Sequence, residues 1–304
     1  MSAPTFFLKV LLAGAVASAP LFSAAATSAV QPVKPAGEPQ IVGKAPRILE
    51  VTFWSETLQR EKKFSVVQPQ KPAADAGKNP VLFLLHGRGR NHHSLLDAPK
   101  SAAFLQSAPF FVVLPDGEDG WYINSPVAPA DRYNDYLEEV IRLAESCLPI
   151  SREPRRRAIT GWSMGGYGAV RFAETHAGQF AAVVGIIGLL DFPRAADLPE
   201  GQNYKVPVKR FGEDPAVWAA FNPIWDVQRL KGTPLLVITG REAFDRVMNT
   251  NFYARAKAAG VECSFLQLKG AHTFDTVTEA LPDVLQFVQS AFDAPGGPPE
   301  AKAN

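Results

Sequence analysis

The segment Gly161-Trp162-Ser163-Met164-Gly165 carries the clearest chemical signal in the chain. A serine in a G-x-S-x-G pattern is typical of a nucleophile on a sharp turn between a strand and a helix. The context fits, because a short strand over 158–160 precedes the motif and a helix rich in small residues follows it. The pattern therefore predicts that Ser163 is a nucleophile and that the backbone N–H of Met164 points at the developing oxyanion.

A serine hydroxyl needs a base to accept its proton, and His272 is our candidate for that base. Only two histidines lie downstream of Ser163. His176 ends the helix that the serine begins, too far along it to fold back. His272 lies on a loop after the last predicted strand, which is where a base can approach the serine.

The loop that begins at His86-Gly87 follows the first buried strand. A loop at the carboxyl end of a strand next to the nucleophile can supply the second oxyanion N–H, which we expect from Arg88, while His86 braces the loop. His92 and His93 lie nearby and are interpreted as solvated loop residues. No further carboxylate or cysteine spacing supports a zinc site with these histidines, so we expect no metal.

The elements that must position these residues follow from the apolar pattern. Continuous apolar runs predict strands buried on both faces, as in a parallel sheet, at 81–85, 110–114, 181–187 and 235–239, with 264–268 as the last strand. Two alternating segments, 48–54 and 63–67, predict an antiparallel pair at the edge of the sheet. Helical periodicity begins near Tyr133, spans 249–259 and recurs near the C-terminus. The pattern predicts an α/β fold with a mostly parallel central sheet and helices on both faces.

Composition and the chain ends set the domain organisation. The chain has 304 residues and a net charge of +1, which argues against a nucleic-acid partner bound through a basic surface. Residues 1–26 have the pattern of a signal peptide, 27–46 of a flexible linker and 294–304 of a disordered tail, which leaves 47–293 as one domain. The leader predicts a secreted or periplasmic protein without stable membrane insertion after cleavage. We interpret Cys147 and Cys263 as two unpaired thiols, although one bridge between them stays possible.

Four stretches carry a family resemblance: LLHGRGRNHHS (84–94), VVLPDGEDGWYINSP (112–126), AITGWSMGGYGAVRFAETHAGQFAAVVGIIG (158–188) and KGAHTFDTV (269–277). They resemble the branch of the α/β-hydrolase superfamily that includes esterase D-type enzymes, feruloyl and acetylxylan esterases, and mycolyltransferase relatives. The likeness runs from about residue 80 to 290. It implies the α/β-hydrolase fold and ester hydrolysis without any metal or organic cofactor.

The chain departs from that family at the catalytic acid. The family usually places it at the fourth position of a G-x-x-D turn after the 235–239 strand, where this chain has Ala243. Because the acid orients and charges the imidazole, a neighbouring carboxylate can serve if the loop bends. Asp245 is our choice, with Glu242 and Asp191 as alternatives.

Three aromatic residues, Trp121, Tyr122 and Trp162, are expected to contact substrate, although apolar residues that line a core look the same in sequence. The leading hypothesis is a secreted serine esterase that hydrolyses carboxylic esters, with acyl or feruloyl esters of carbohydrates as candidate substrates. An acyltransferase with the same nucleophile, and a weakly active or non-catalytic binding protein, stay as alternatives. The particular ester and the oligomeric state do not follow from the sequence.

Overall fold

The computed structural model describes residues 37–294. Its strands are β1 (Gln40–Ala45), β2 (Ile48–Ser55), β3 (Arg60–Val67), β4 (Val81–Leu85), β5 (Phe111–Pro115), β6 (Arg157–Trp162), β7 (Ala182–Ile186), β8 (Leu235–Gly240) and β9 (Cys263–Leu268). Its α-helices are α1 (Pro99–Ser107), α2 (Tyr133–Cys147), α3 (Met164–Thr175), α4 (Val208–Phe211), α5 (Pro215–Trp218), α6 (Arg246–Ala258) and α7 (Phe274–Asp293).

The strands form one sheet in the order β1-β2-β3-β5-β4-β6-β7-β8-β9. In this order, β1, β2, β3 and β5 pair antiparallel with one another. The strands β5, β4, β6, β7, β8 and β9 pair parallel. The predicted mostly parallel sheet is confirmed, and so is the predicted antiparallel pair, with β2 and β3 in register from Ile48–Val67 to Ser55–Arg60. The carboxyl ends of the parallel strands therefore meet at one edge, where ligands of such sheets bind.

The outermost strand corrects the predicted domain boundary. A flexible linker was expected over 27–46, but Gln40–Ala45 forms β1 and pairs with β2, so that prediction is wrong for these residues. All six residues of β1 are exposed, so the strand has none of the buried alternation that a sequence pattern can detect. The predicted signal peptide (1–26) and residues 295–304 of the predicted tail lie outside the described residues.

Alternating side chains of the parallel strands pack against helices on opposite faces of the sheet. On one face, Phe83 and Val183 belong to the same core cluster as residues of α2, α3 and α6. On the other face, Leu84 and Val184 cluster with residues of α1 and α7. Both faces are therefore buried, which explains the continuous apolar runs in the sequence. Among the described helices, none is both long and apolar enough to cross a lipid bilayer.

A long connection, 187–234, joins β7 to β8 and contains α4 and α5. This connection is hydrogen-bonded to α3, because Tyr167 Oη donates to the carbonyl oxygen of Phe221 (2.7 Å). It is also hydrogen-bonded to the loop after β4, because Arg88 Nη1 donates to Tyr204 Oη (3.1 Å). Away from this region, Cys147 and Cys263 are both free thiols, as interpreted from the sequence.

Candidate active site

Ser163 lies between the last residue of β6 and the first residue of α3. Its backbone has φ +55° and ψ −118°, a conformation in which a non-glycine residue is strained. Two backbone hydrogen bonds hold the turn, from Ser163 N to Ile186 O and from Tyr167 N to Ser163 O, both 3.0 Å. The predicted sharp strand–helix turn is present, and it holds the serine hydroxyl at the carboxyl edge of the sheet.

Glycines make this turn possible by allowing the backbones to approach closely. A Cβ at Gly161 would lie 2.3 Å from the carbonyl oxygen of Gly165. A Cβ at Gly165 would lie 2.2 Å from the carbonyl oxygen of Leu85, at the end of the neighbouring strand β4. Both contacts are with backbone, which cannot move aside, so the motif requires glycine at these positions.

His272 connects Ser163 to a carboxylate. Its Nε2 lies 2.8 Å from Ser163 Oγ, and its Nδ1 lies 2.7 Å from Asp245 Oδ1. His272 follows β9, and Asp245 is the residue that precedes α6, so three separate loops at the carboxyl edge meet here. The structure thus brings together the predicted nucleophile, the predicted base and the first choice for the acid.

The Asp245 carboxylate is completely buried and held on both oxygens. While Oδ1 faces His272, Oδ2 accepts hydrogen bonds from Thr239 Oγ1 and from Asn249 Nδ2, both 2.7 Å. Sequence reasoning missed both supporting residues. Asn249 was detectable, because a residue four positions after Asp245 lies on the same side of a helix.

The two alternative acids have other partners. Glu242 Oε2 accepts a hydrogen bond from the backbone N–H of Gly270 (2.6 Å). Asp191 accepts hydrogen bonds from Asn222 (3.1 Å) and Asn251 (2.9 Å). Neither carboxylate contacts the imidazole, so of the three candidates only Asp245 is placed to orient it.

The imidazole of His272 also packs against an aromatic ring that sequence reasoning missed. The centroid of Phe244 lies 4.4 Å from that of His272, with 31° between the planes. Phe244 in turn stacks on Tyr204 of the 187–234 connection (5.7 Å). Phe244 therefore packs against a face of the imidazole, whereas the hydrogen bonds of His272 lie in the plane of its ring.

His86 fixes the loop that carries the second predicted oxyanion donor. Its Nε2 accepts a hydrogen bond from Gly117 N (2.8 Å), so its proton is assigned to Nδ1, which donates to Gly87 O (2.8 Å). In a planar trans peptide the N–H points away from the carbonyl, so the N–H of Arg88 faces away from His86. Within residues 37–294 no acceptor takes this N–H. Met164 is the first residue of α3, where an N–H has no acceptor within its own helix.

Neighbouring charged and polar groups shift the pKa values of Asp116 and Arg88 near this loop. Burial favours a higher pKa for Asp116, but the charge of Lys62 and a hydrogen bond from the backbone N–H of Glu118 (3.1 Å) hold that pKa below its usual range. The Arg88 guanidinium hydrogen-bonds to Tyr204 and to Asp119 (Nε to Oδ1, 3.0 Å), and both contacts raise its pKa.

A cleft of about 190 Å³ opens at Ser163. It is lined by Gly87, Arg88, Arg90, Trp162, Ser163, Ile187, His272, Thr273 and Phe274. Trp162 is therefore placed to touch a bound molecule, as the sequence predicts.

The structure places Trp121 and Tyr122 away from the cleft at Ser163, although the sequence predicts that they contact substrate. The two side chains are 1% and 0% exposed, and neither lines the cleft. Both residues have φ +55°, in a turn that directs their rings into the core. Tyr122 packs where Gly168 has no side chain, since a Cβ there would lie 2.4 Å from its ring. Both rings belong to the packed core on one face of the sheet.

Residues 55–286 match the model of the family described as "Putative esterase". This range covers most of the chain and includes the whole cluster around Ser163. The chain belongs to this esterase family. It is a carboxylic ester hydrolase, as the sequence motifs and the resemblance predict.

Individual relatives of this esterase are distant. It is 21% identical over 265 residues to an acetyl esterase of Caldicellulosiruptor saccharolyticus, covering 81% of this chain and 99% of that one. It is 25% identical over 260 residues to an esterase of Mycobacterium tuberculosis, covering 75% of this chain and 56% of that one.

A solved structure shows the same fold. A fluorophosphonate-binding serine hydrolase of Staphylococcus aureus superposes with a TM-score of 0.69 at 20% identity, covering 85% of this esterase and all of that chain. At this identity the likeness shows the fold alone, and it confirms the predicted α/β-hydrolase architecture.

Proposed function

We propose that this esterase works through an acyl-enzyme on Ser163, with His272 as general base and acid and Asp245 as the group that orients the imidazole. The observation that carries the proposal is the continuous chain from Asp245 Oδ1 through the imidazole to Ser163 Oγ, with steps of 2.7 and 2.8 Å. Both distances lie within the range over which a proton can transfer directly.

In the first half-reaction, Ser163 Oγ attacks the ester carbonyl carbon while His272 Nε2 accepts the hydroxyl proton. The carbonyl oxygen becomes an oxyanion, which accepts hydrogen bonds from the free N–H groups of Arg88 and Met164. The tetrahedral species collapses, the bond to the alcohol oxygen breaks, and His272 returns its proton to that oxygen. The products are the free alcohol and an ester on Ser163.

In the second half-reaction, water attacks the acyl-enzyme and gives a proton to His272. The bond to Ser163 Oγ then breaks, the serine regains its proton, and the carboxylic acid leaves. Throughout, Asp245 holds the imidazole in the tautomer that has its free electron pair on Nε2, and it stabilises the imidazolium that forms.

We propose short-chain carboxylic esters, acetyl esters above all, as the substrates. The cleft of about 190 Å³ is smaller than the roughly 300–1,000 Å³ typical of sites for drug-sized ligands, which favours a small acyl group. The name of the Caldicellulosiruptor relative agrees with this choice. A feruloyl group, although suggested by the family resemblance, has ten carbons including an aromatic ring, against two in an acetyl group, and therefore needs more room.

Hydrolysis of 4-nitrophenyl esters of increasing chain length tests this proposal. We expect turnover of the acetate, slower turnover as the chain lengthens, and loss of turnover in Ser163→Ala. Ser146→Ala is a matched control, because Ser146 is exposed on α2 and bonds only to the carbonyl of Leu143. Equal rates for Ser163→Ala and Ser146→Ala would refute the assignment of Ser163 as the nucleophile. Faster hydrolysis of the octanoate than of the acetate would refute the proposed preference for short acyl groups.

We also propose that the protein is exported, since residues 1–26 have the order of a signal peptide: a positive charge, a short apolar run and small residues at an A-x-A site. N-terminal sequencing of the protein from its native source tests this. A mature chain that begins near residue 27 is expected, and an intact leader on a cytoplasmic protein would refute it.

A further inference from the structure

The cleft at Ser163 has an unbalanced charge. Its lining includes two arginines, Arg88 and Arg90, but no aspartate or glutamate. Asp245 is completely buried behind His272 and does not line the cleft. A cleft lined by cationic groups attracts anionic ligands, because low-dielectric walls concentrate the field.

The two arginines differ in their partners. Arg88 is already paired, since its guanidinium contacts both oxygens of Asp119 (3.0 and 3.3 Å) as well as Tyr204. In contrast, no carboxylate of residues 37–294 lies within 4.0 Å of the Arg90 guanidinium. The charge of Arg90 is therefore the one available to a ligand.

Arg90 is held towards the cleft. The turn Gly87–Arg90 is closed by a hydrogen bond from Arg90 N to Gly87 O (3.1 Å), with Gly89 at φ +71°. This turn directs the two arginines to different partners, and the Arg90 guanidinium carbon lies 5.2 Å from the ring centroid of Phe274. A guanidinium over an aromatic ring retains its outward N–H donors, which can form the paired hydrogen bonds that carboxylates and phosphates accept.

The position of Phe274 indicates which part of a substrate would meet Arg90. Phe274 follows His272 by two residues, and both line the cleft. In the proposed mechanism His272 Nε2 delivers a proton to the leaving oxygen, so the leaving group lies on the His272 side of the scissile bond. Arg90 therefore faces the alcohol part of the ester and not the acyl part.

We propose that Arg90 is a specificity-determining residue that binds an anionic group, a carboxylate or a phosphate, on the leaving-group part of the ester. This inference rests on the proposed function and adds a substrate class to it: short-chain esters of alcohols, phenols or thiols that carry a negative charge.

Two acetate esters with similar leaving groups test this inference. 4-Acetoxybenzoate has a carboxylate on its leaving group, and methyl 4-acetoxybenzoate has none. The measured quantity is the ratio of kcat/KM for the anionic ester to that for the neutral ester at low ionic strength. We expect Arg90→Gln to lower this ratio roughly 2- to 5-fold, mainly through KM, and Arg90→Lys to retain most of it. Raising the salt concentration should remove the difference between wild type and Arg90→Gln.

Arg255→Gln provides the matched control. Arg255 is exposed on α6 and does not line the cleft, so its loss changes the net charge equally and should leave the ratio unchanged. A mono-4-nitrophenyl ester of succinic acid carries its charge on the acyl side instead, and its kcat/KM relative to 4-nitrophenyl acetate should not respond to Arg90→Gln.

Three outcomes would overturn the inference: an unchanged ratio in Arg90→Gln, an equal fall in Arg255→Gln, or a loss confined to the succinate ester. Failure of the proposed function gives a different result from these three outcomes. If the protein is not an esterase of this kind, the wild-type protein hydrolyses neither acetate ester, and the inference about Arg90 is refuted together with the proposed function.

Discussion

Replacing Asp245 by asparagine removes one charge from the site without changing its shape. In the native protein, Asn249 Nδ2 donates to Asp245 Oδ2 and to two backbone carbonyl oxygens, Asp245 O (2.9 Å) and Gly188 O (2.7 Å). All three partners are acceptors, so the amide of Asn249 cannot flip in the variant. The side-chain oxygen of the introduced asparagine must therefore face Asn249, which turns its amide nitrogen towards His272.

That orientation places an N–H donor against His272 Nδ1. The imidazole can accept this hydrogen bond only when its own proton is on Nε2, and in that tautomer Nε2 cannot take the proton of Ser163. An aspartate-to-asparagine change in a serine-protease triad lowers kcat about 10⁴-fold for the same reason. We expect a loss of the same order here, which corresponds to about 5 kcal/mol at about 1.36 kcal/mol per tenfold change in rate.

The assay is steady-state hydrolysis of 4-nitrophenyl acetate, with far-UV circular dichroism to show that the variant is folded. Glu242→Gln and Asp191→Asn remove the two alternative carboxylates and serve as controls, for which we expect kcat within about tenfold of wild type, since neither contacts the imidazole. Folded Asp245→Asn with more than one tenth of the wild-type kcat would refute the reasoning, and so would an equally large loss in Glu242→Gln.

Three further changes test the fold and the oxyanion loop. Gly165→Ala places a Cβ 2.2 Å from the carbonyl oxygen of Leu85, so we expect a loss on the order of 4 kcal/mol in unfolding free energy or insoluble protein; a wild-type urea midpoint would contradict the clash. His86→Ala releases the peptide that aims the Arg88 N–H, so kcat should fall about 10²-fold with little change in KM, whereas an effect on KM alone would exclude this role. Although burial opposes it, the charge of Lys62 and the hydrogen bond from the backbone N–H of Glu118 lower the pKa of Asp116 below its ordinary value of 3.8. The resulting stabilisation is complete well above that pH and is lost as pH falls below it, so Asp116→Asn should flatten the decrease in unfolding free energy below about pH 4; an unchanged pH dependence in urea titrations would contradict this.

The features that the sequence predicted well are those that local patterns determine. The strands of the parallel sheet are buried on both faces, so continuous apolar runs such as 81–85 and 235–239 identify them. The turn at Ser163 needs glycine at fixed positions because backbones approach closely there, and this requirement is visible as a motif. His272 was found by its position after the last strand, where the carboxyl edge of the sheet brings loops together.

The features that the sequence did not predict depend on contacts between distant segments or on the absence of burial. Strand β1 is fully exposed and pairs through its backbone, which leaves no periodic pattern in Gln40–Ala45. Trp121 and Tyr122 are as apolar in a core as in a binding cleft, so residue type does not separate the two. The choice of Asp245 over Glu242 is decided by how the loop after β8 bends, since Asp245 turns inwards to Thr239 and Glu242 binds the backbone of a neighbouring loop.

The central claim is that Ser163 is a nucleophile activated by His272, and covalent labelling tests it most directly. The folded protein is treated with a fluorophosphonate, and the modified residue is located by peptide mass spectrometry. We predict one adduct per chain, on the peptide that contains Ser163, with ester hydrolysis lost in proportion to labelling and no adduct in Ser163→Ala. A folded, ester-hydrolysing protein that resists the reagent, or that carries the adduct on another residue, would contradict the account.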